Sequence, residues 1–356
     1  MIVTIVIPNR NRDLAIVRKS LFSLIDQASD KIEVVVVDYG SDIGYQKDLE
    51  KLINEIGNIR LILCPTQGQL WNKARAINIV LKSCTTPFFM VADVDMLFHP
   101  KFFHLVLPTL KKEQTIYFPV GVLTEEESKK DTPFEEYKIK FMTDHEATGI
   151  SIFSTQYLLD INGFDEFYHG WGSEDTDAHV RLLNNGHEVE FQEETYYFLH
   201  QWHPKAYRSR DSKEPYCKGL EQTNASYLKQ TRELKKTMAN LNTSWGILPF
   251  EIDKEGIDYE LSITNKTASV KALVQQIEEL EVNTSMHVTI TQDDSYKNVK
   301  DGVKKILGKK TTDYIALDVV NDTLLGALIG VLRNSPYNYR YDRMTQQIHF
   351  QIKIMR

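Results

Sequence analysis

The sequence predicts an α/β fold with a mainly parallel central sheet, followed by a small C-terminal α/β unit. Three observations carry this. Short Val- and Ile-rich runs alternate with helix-period segments through the first half of the chain. Acids, arginines and asparagines gather where those runs end, which is where ligands bind in such sheets. The character of the sequence changes after about Trp245, which divides it into residues 1–243 and 244–356.

The elements follow in order. Ile2–Ile7 and Glu33–Val37 read as buried strands, with a helix between them over Asp13–Ile25. Ile59–Leu63, Phe88–Val91 and Thr115–Phe118 read as further strands, and Gln69–Leu81 and Lys101–Lys111 as helices. After Pro133 come a strand at Ala147–Phe153 and a short helix at Thr155–Ile161. A Gly- and aromatic-rich loop, Gly163–Gly172, leads into a helix from Ser173, a good N-cap residue, to about Asn185. Strands near Glu188–Gln192 and Tyr196–His200, a polar loop over Lys205–Glu221 and a helix over Asn224–Leu241 complete the first part. The second part reads as strands at Ile257–Ile263, Val288–Thr291 and Tyr314–Val319. Its helices are Ala268–Leu280, Ser295–Ile306 and Thr323–Leu332, with a closing hairpin of Tyr337–Tyr341 and Gln346–Ile354. It carries no chemical motif and no internal repeat.

Composition narrows the function. The 356 residues are 42% hydrophobic, enough for packed cores. A formal charge of -7 without a basic run argues against nucleic acid as a partner. Cys64, Cys84 and Cys217 are widely spaced and odd in number, which fits a reducing compartment rather than a disulfide framework. No apolar run approaches a membrane span and no leader-like segment precedes the first strand. The expectation is a cytoplasmic protein, in which the triplets at Asn224 and Asn265 carry no sugar.

Five features carry chemistry. Asp93 and Asp95 flank Val94 at the end of a buried strand, where residues i and i+2 point the same way. Paired carboxylates repel unless a cation sits between them, and hard divalent ions such as magnesium or manganese suit oxygen ligands. The ordinary alternative is that one Asp caps the helix near Pro100 and the other is solvated. Pro8-Asn9-Arg10-Asn11-Arg12 follows the first strand without the glycines of a dinucleotide or Walker loop; its arginines suit a phosphate, or a solvated basic turn. Asp38 ends the second strand, where it accepts hydrogen bonds from a nucleoside or from its own turn. Gly170-Trp171-Gly172-Ser173-Glu174-Asp175 offers an aromatic face to a sugar ring and a carboxylate to an acceptor hydroxyl. Acids there also complement a helix dipole. His200 and His203 lie at a strand end, as a metal's further ligands or as structural residues.

The ordered set resembles a known pattern. Pro-Asn-Arg-Asn-Arg is followed by Trp71-Asn72-Lys73-Ala74-Arg75-Ala76-Ile77-Asn78 and Asp-Val-Asp. Then come Gly149-Ile150-Ser151, Ile161-Asn162-Gly163-Phe164-Asp165 and Gly-Trp-Gly-Ser-Glu-Asp. Over roughly Ile2 to Leu241 this is similar to the β-1,4-galactosyltransferases. More broadly it resembles family 2 glycosyltransferases and the polypeptide N-acetylgalactosaminyltransferase catalytic domain. The resemblance implies a GT-A (nucleotide-diphospho-sugar transferase) fold, a UDP-sugar donor and Mn2+ or Mg2+. It places Pro8, Arg10, Arg12, Asp38 and Arg75 on the donor, with Asp93 and Val94 beside them. Asp93 and Asp95 would hold the metal with His203, or second with His200. Trp171 and Gly172 would meet the acceptor, and Asp175, with Glu174, would be catalytic. Two departures stand out. Tyr207 and Arg208 occupy the place where the galactosyltransferase alignment puts its metal histidine, and the disulfides of the animal enzymes are missing.

The implied reaction is an inverting transfer of a hexose or N-acetylhexosamine to a glycan or glycolipid acceptor, in assembly of a surface polysaccharide. Two other readings stay open: a retaining transferase of the same fold, and a sugar-binding or scaffold module. Peripheral membrane association and a homo-oligomer built through residues 244–356 are compatible with all three.

Overall fold

A computed structural model describes residues 2–27, 29–144, 149–192, 195–204, 219–252, 256–296 and 311–355. They fall into two compact units. The first comprises Met1–Cys64, Trp71–Ser209 and Glu221–Leu248, and the second Pro65–Leu70, Arg210–Leu220 and Pro249–Arg356.

The first unit is built on β1 (Val3–Asn9), α1 (Leu14–Ile25), β2 (Ile32–Tyr39), α2 (Ile43–Ile56), β3 (Ile59–Cys64), α3 (Lys73–Leu81), β4 (Phe88–Val91) and β5 (Met96–Phe98). There follow α4 (Phe102–Val106), β6 (Thr115–Tyr117), β7 (Val120–Leu123), α5 (Glu125–Ser128), β8 (Ile139–Met142), β9 (Ser151–Ser154) and α6 (Thr155–Asp160). The unit ends with α7 (Glu174–Asn184), β10 (Val189–Phe191), β11 (Phe198–His200) and α8 (Leu220–Glu233). Seven strands form the main sheet in the order β10-β6-β9-β4-β1-β2-β3. All neighbours are parallel except β9, which runs antiparallel to both β4 and β6. Alternate residues of β1 and β2 enter opposite cores, as a sheet covered on both faces requires. Ile5, Ile7, Val34 and Val36 pack with α1 and α2, while Val6, Val35 and Val37 pack with α3 and Trp245.

Helix starts are set by capping. The Asp13 side chain accepts from Ala15 N at 2.8 Å and opens α1. Asn72 accepts from Arg75 N at 2.8 Å, so α3 begins at Lys73 and not near Gln69. Ser173 stands at the N-cap of α7, but with φ 78° and without a capping hydrogen bond from its side chain. The expected helix over Lys101–Lys111 shrinks to α4, and α8 stops at Glu233 instead of Leu241. The sequence reading passed over α2 and also over a second sheet, β5-β11-β7-β8. Its strands of three or four residues are too short to display a period.

The second unit holds β12 (Tyr259–Thr264), α9 (Thr267–Glu279), β13 (Ser285–Thr291), α10 (Leu317–Ile329), β14 (Tyr337–Asp342) and β15 (Gln347–Lys353), with strands in the order β12-β13-β15-β14. The closing hairpin forms as expected, antiparallel from Tyr337↔Ile352 to Asp342↔Gln347. Tyr314–Val319 is not a strand: Tyr314 makes one isolated bridge to Lys266, and α10 starts at Leu317. Most of the helix expected over Ser295–Ile306 lies outside the described residues. Among the described residues no helix is long and apolar enough to cross a membrane. Asn224 and Asn265 are both buried, so neither can carry a glycan.

Candidate active site

The chemistry gathers beyond the carboxyl ends of β1 and β4, in two clusters divided by one short turn. Asp93-Val94-Asp95 is not extended. It turns between β4 and β5, with Met96 N bonded to the Asp93 carbonyl at 3.3 Å. The two acids therefore stand in a turn rather than in the extended segment expected, and they engage different partners. Val94, expected on the donor side, puts its side chain into the core.

Asp95 is buried. Its Oδ2 lies 3.2 Å from His203 Nε2 and 3.3 Å from Arg12, and its Oδ1 lies 3.6 Å from His200 Nε2. The second sheet makes this meeting: His200 ends β11 opposite Met96 of β5, and Gln201 N donates to the Asp95 carbonyl at 3.0 Å. The segment with Tyr207 and Arg208, the competing position for a metal histidine, lies outside the described residues.

Asp93 turns to Lys73. Lys73 Nζ stands 2.9 Å from Asp93 Oδ1, 3.1 Å from Asp175 Oδ2 and 3.4 Å from Glu174 Oε1. Three elements meet in this cluster, since Lys73 opens α3 and the two acids open α7. A Cβ at Gly149 would lie 3.0 Å from Asp93 Oδ2, so a glycine there leaves room beside the carboxylate. Lys73 lies within the Trp71–Asn78 motif, where its sequence position alone assigns it no role. The available signal was its place directly after the capping Asn72, which puts it in the first turn facing the sheet's ligand end.

Other expected residues sort into surface and support. Trp171 is 45% exposed, and Gly172 beside it has φ +92° with open space around it. Asn224 of α8 donates to the carbonyls of His169 at 2.9 Å and Trp171 at 3.2 Å, which fixes this loop. Asp177, two residues beyond Asp175 along α7, is buried against Arg181 and Tyr168. Pro8 is buried within β1, and Arg10 follows it half-buried. Asp38, expected at the nucleoside, is wholly buried. Its oxygens accept from Ser41 N, Gln46 and Asn9 at 3.2, 3.2 and 3.3 Å, and burial pushes its carboxyl above the ordinary range.

Arg75, expected on the donor, is buried, and its Nε donates to Glu166 at 2.7 Å. Glu166 also accepts from Asn78 at 3.0 Å and from Gly246 N at 2.7 Å. Removing one partner of a buried pair strands the other charge. Glu166→Ala is therefore expected to lower unfolding stability by about 3–5 kcal/mol, measured by urea denaturation.

With this geometry in place, the chain can be set beside known proteins. Residues 4–172 match the family model described as glycosyl transferase family 2. The match covers a little under half of the chain. The matched region has the GT-A fold. A search of curated protein sequences finds no match. Among solved structures, S. aureus TarS 1–349 in complex with UDP-GlcNAc is similar at 18% identity and TM-score 0.43, covering 57% of this chain and 59% of that one. The Pyrobaculum calidifontis mannosyltransferase PcManGT with GDP-Man and Mn2+ gives 17% and 0.41, over 65% and 71%. GalNAc-T7 with UDP, GalNAc and Mn2+ gives 13% and 0.47, over 65% and 48%. The chain spans about three fifths of the TarS 1–349 length.

The metal expectation is tested by the donor set. The ligand atoms of Asp95, His200 and His203 all lie within 4.8 Å of one another, whereas Asp93 is outside the group. Asp95 Oδ1 is buried without a hydrogen-bond partner, and so is His200 Nδ1. A buried carboxylate oxygen left orphaned beside two imidazoles fits a cation. Burial alone would raise the Asp95 carboxyl, but His200, His203 and Arg12 hold it well below the usual carboxylate range. Asp175 goes the other way. Burial, then the charges of Glu174 and Asp93, outweigh Lys73 and push it up to about 7.

Proposed function

We propose that this domain transfers a hexose or N-acetylhexosamine from a UDP-sugar to a hydroxyl of a glycan acceptor, with inversion at the anomeric carbon, in assembly of a surface polysaccharide. The observation that carries the reading is the division of labour between the clusters. One is a carboxylate with two imidazoles fit for a cation, and the other presents a carboxylate whose pKa of about 7 suits a general base. In this reading Asp95, His203 and His200 hold Mn2+ or Mg2+, which when bound neutralises charge on the diphosphate. Arg12, 3.3 Å from Asp95, supplies a further cation for that diphosphate. Trp171 offers its exposed face to the acceptor sugar. Asp175 takes the proton of the attacking hydroxyl, and Glu174, on the same lysine, holds the neighbouring position.

The test is a panel of UDP-sugars assayed for manganese-dependent hydrolysis and transfer, with the product anomer read by NMR. A product that keeps the donor's anomeric configuration would replace the inverting reading with the retaining one. A pH dependence follows from Asp175. Only its ionised form accepts a proton, so turnover is low below the raised pKa and climbs as pH passes through about 7. A flat kcat profile between pH 5.5 and 8.5 (about 1.5 units either side of that value) contradicts the assignment. Residues 244–356 are proposed as a separate domain that recruits a partner or a second copy.

A further inference from the structure

We propose that Lys73 is a positioning residue for sugar transfer, its ammonium group holding the Asp175 carboxylate in register with Asp93 across the boundary between the donor and acceptor sides. The inference rests on the reading of Asp175 as the base. It starts from the count of donors: an ammonium group has three protons, and Lys73 Nζ has three carboxylates within 3.4 Å, those of Asp93, Asp175 and Glu174. One positive charge therefore serves three negative ones at a site where the lysine side chain is only 12% exposed.

The lysine is held from behind. Asn72, wholly buried, caps α3 and donates to the Glu166 carbonyl at 2.9 Å, while Arg75 pairs with the Glu166 side chain. The first turn of α3 is thus pinned on both sides of Lys73, and the ammonium is the end of a rigid mount. The charged and titratable groups facing Asp175 come from four elements. They are Lys73 of α3, Asp93 of the β4–β5 turn, Glu174 of α7, and Tyr117 of β6, whose phenol is held neutral by burial and by the Asp175 charge. Lys73 is the cation among these four groups. Without it the remaining acids repel, and Asp175 binds its proton more tightly.

The experiment compares Lys73→Met, Lys73→Arg and the double variant Lys73→Met/Glu174→Gln by three readouts. These are kcat, the affinity for UDP with manganese by calorimetry, and the Asp175 carboxyl titration followed by 13C NMR in the metal-free protein. Lys73→Met is expected to raise the Asp175 midpoint by at least about one pH unit, a tenfold gain in proton affinity. Its kcat should fall by more than about tenfold, within the range of a lost general-base contribution, with UDP affinity changed less than about threefold. Arginine restores the charge but not a three-way point contact, so Lys73→Arg should recover the midpoint and not the full kcat. Removing one acid in the double variant should return the midpoint toward that of the unmodified protein, and it keeps the test open if Lys73→Met folds poorly. Loss of UDP affinity by the same factor as kcat/KM, with the midpoint unmoved, would make Lys73 a donor ligand and overturn the proposal. So would a variant unchanged in all three readouts. Because the titration is read without substrate, it stands or falls separately from the base assignment, which Asp175→Asn tests.

Discussion

Asp175→Asn is expected to lower turnover at least about a hundredfold while leaving UDP–manganese affinity nearly unchanged, since a general base contributes about 10²–10⁴ to rate. The amide keeps the size of the side chain and can still accept from Lys73, but it cannot take a proton. The donor side stays intact, because Asp95, His200, His203 and Arg12 form a cluster that Asp175 does not touch. The loss should appear in kcat with acceptor and much less in KM for the donor, the pattern of an interaction used only in the transition state. Steady-state kinetics at pH 8, where the native carboxylate is mostly ionised given a pKa of about 7, check it. Near-native turnover there would move the base to Glu174 or out of the site. Glu174→Gln separates those two outcomes.

The main sheet was legible because each strand of β1, β2 and β4 is a run of apolar residues buried on both faces, the pattern a parallel sheet imposes. The ends of these runs then located the site without any knowledge of tertiary structure. What the sequence concealed was shape at the single turn that matters. Asp93-Val94-Asp95 directly follows a strand, and nothing in three residues says whether the strand continues. Its turn depends on β11 docking more than a hundred residues later, through Gln201 N on the Asp95 carbonyl. Such a contact has no local signature. The same reason hid the role of Lys73, whose three partners come from two distant segments. Arg75 and Asp38 show how a strand-end residue can also serve the fold. Arginine and aspartate near strand ends invite a ligand reading, yet Glu166 and the turn after β2 engage them in place.

The metal cluster makes the remaining strong prediction. Replacing Asp95 with Ala should abolish manganese-dependent UDP binding. Replacing His203 with Ala should cost more than replacing His200, by at least the roughly 10–100-fold typical of losing even an outer-shell partner. The order follows from the orientation of each ring. His203 Nδ1 lies 3.0 Å from the Pro204 carbonyl, which can only accept, so Nδ1 carries the proton and Nε2 faces Asp95 with its lone pair available once neutral. His200 presents Nε2 to the same carboxylate, but its Nδ1 is buried without a partner to fix the tautomer. An imidazole anchored through its far nitrogen binds a metal more strongly than one that is not. Protons compete for the same lone pairs, so affinity should also fall as pH is lowered. Calorimetric titration of UDP in manganese against each single variant reads the order directly. Equal losses for the two histidines, or a greater loss for His200→Ala, would remove the orienting role from the Pro204 carbonyl. Unaltered binding by Asp95→Ala would place the cation elsewhere.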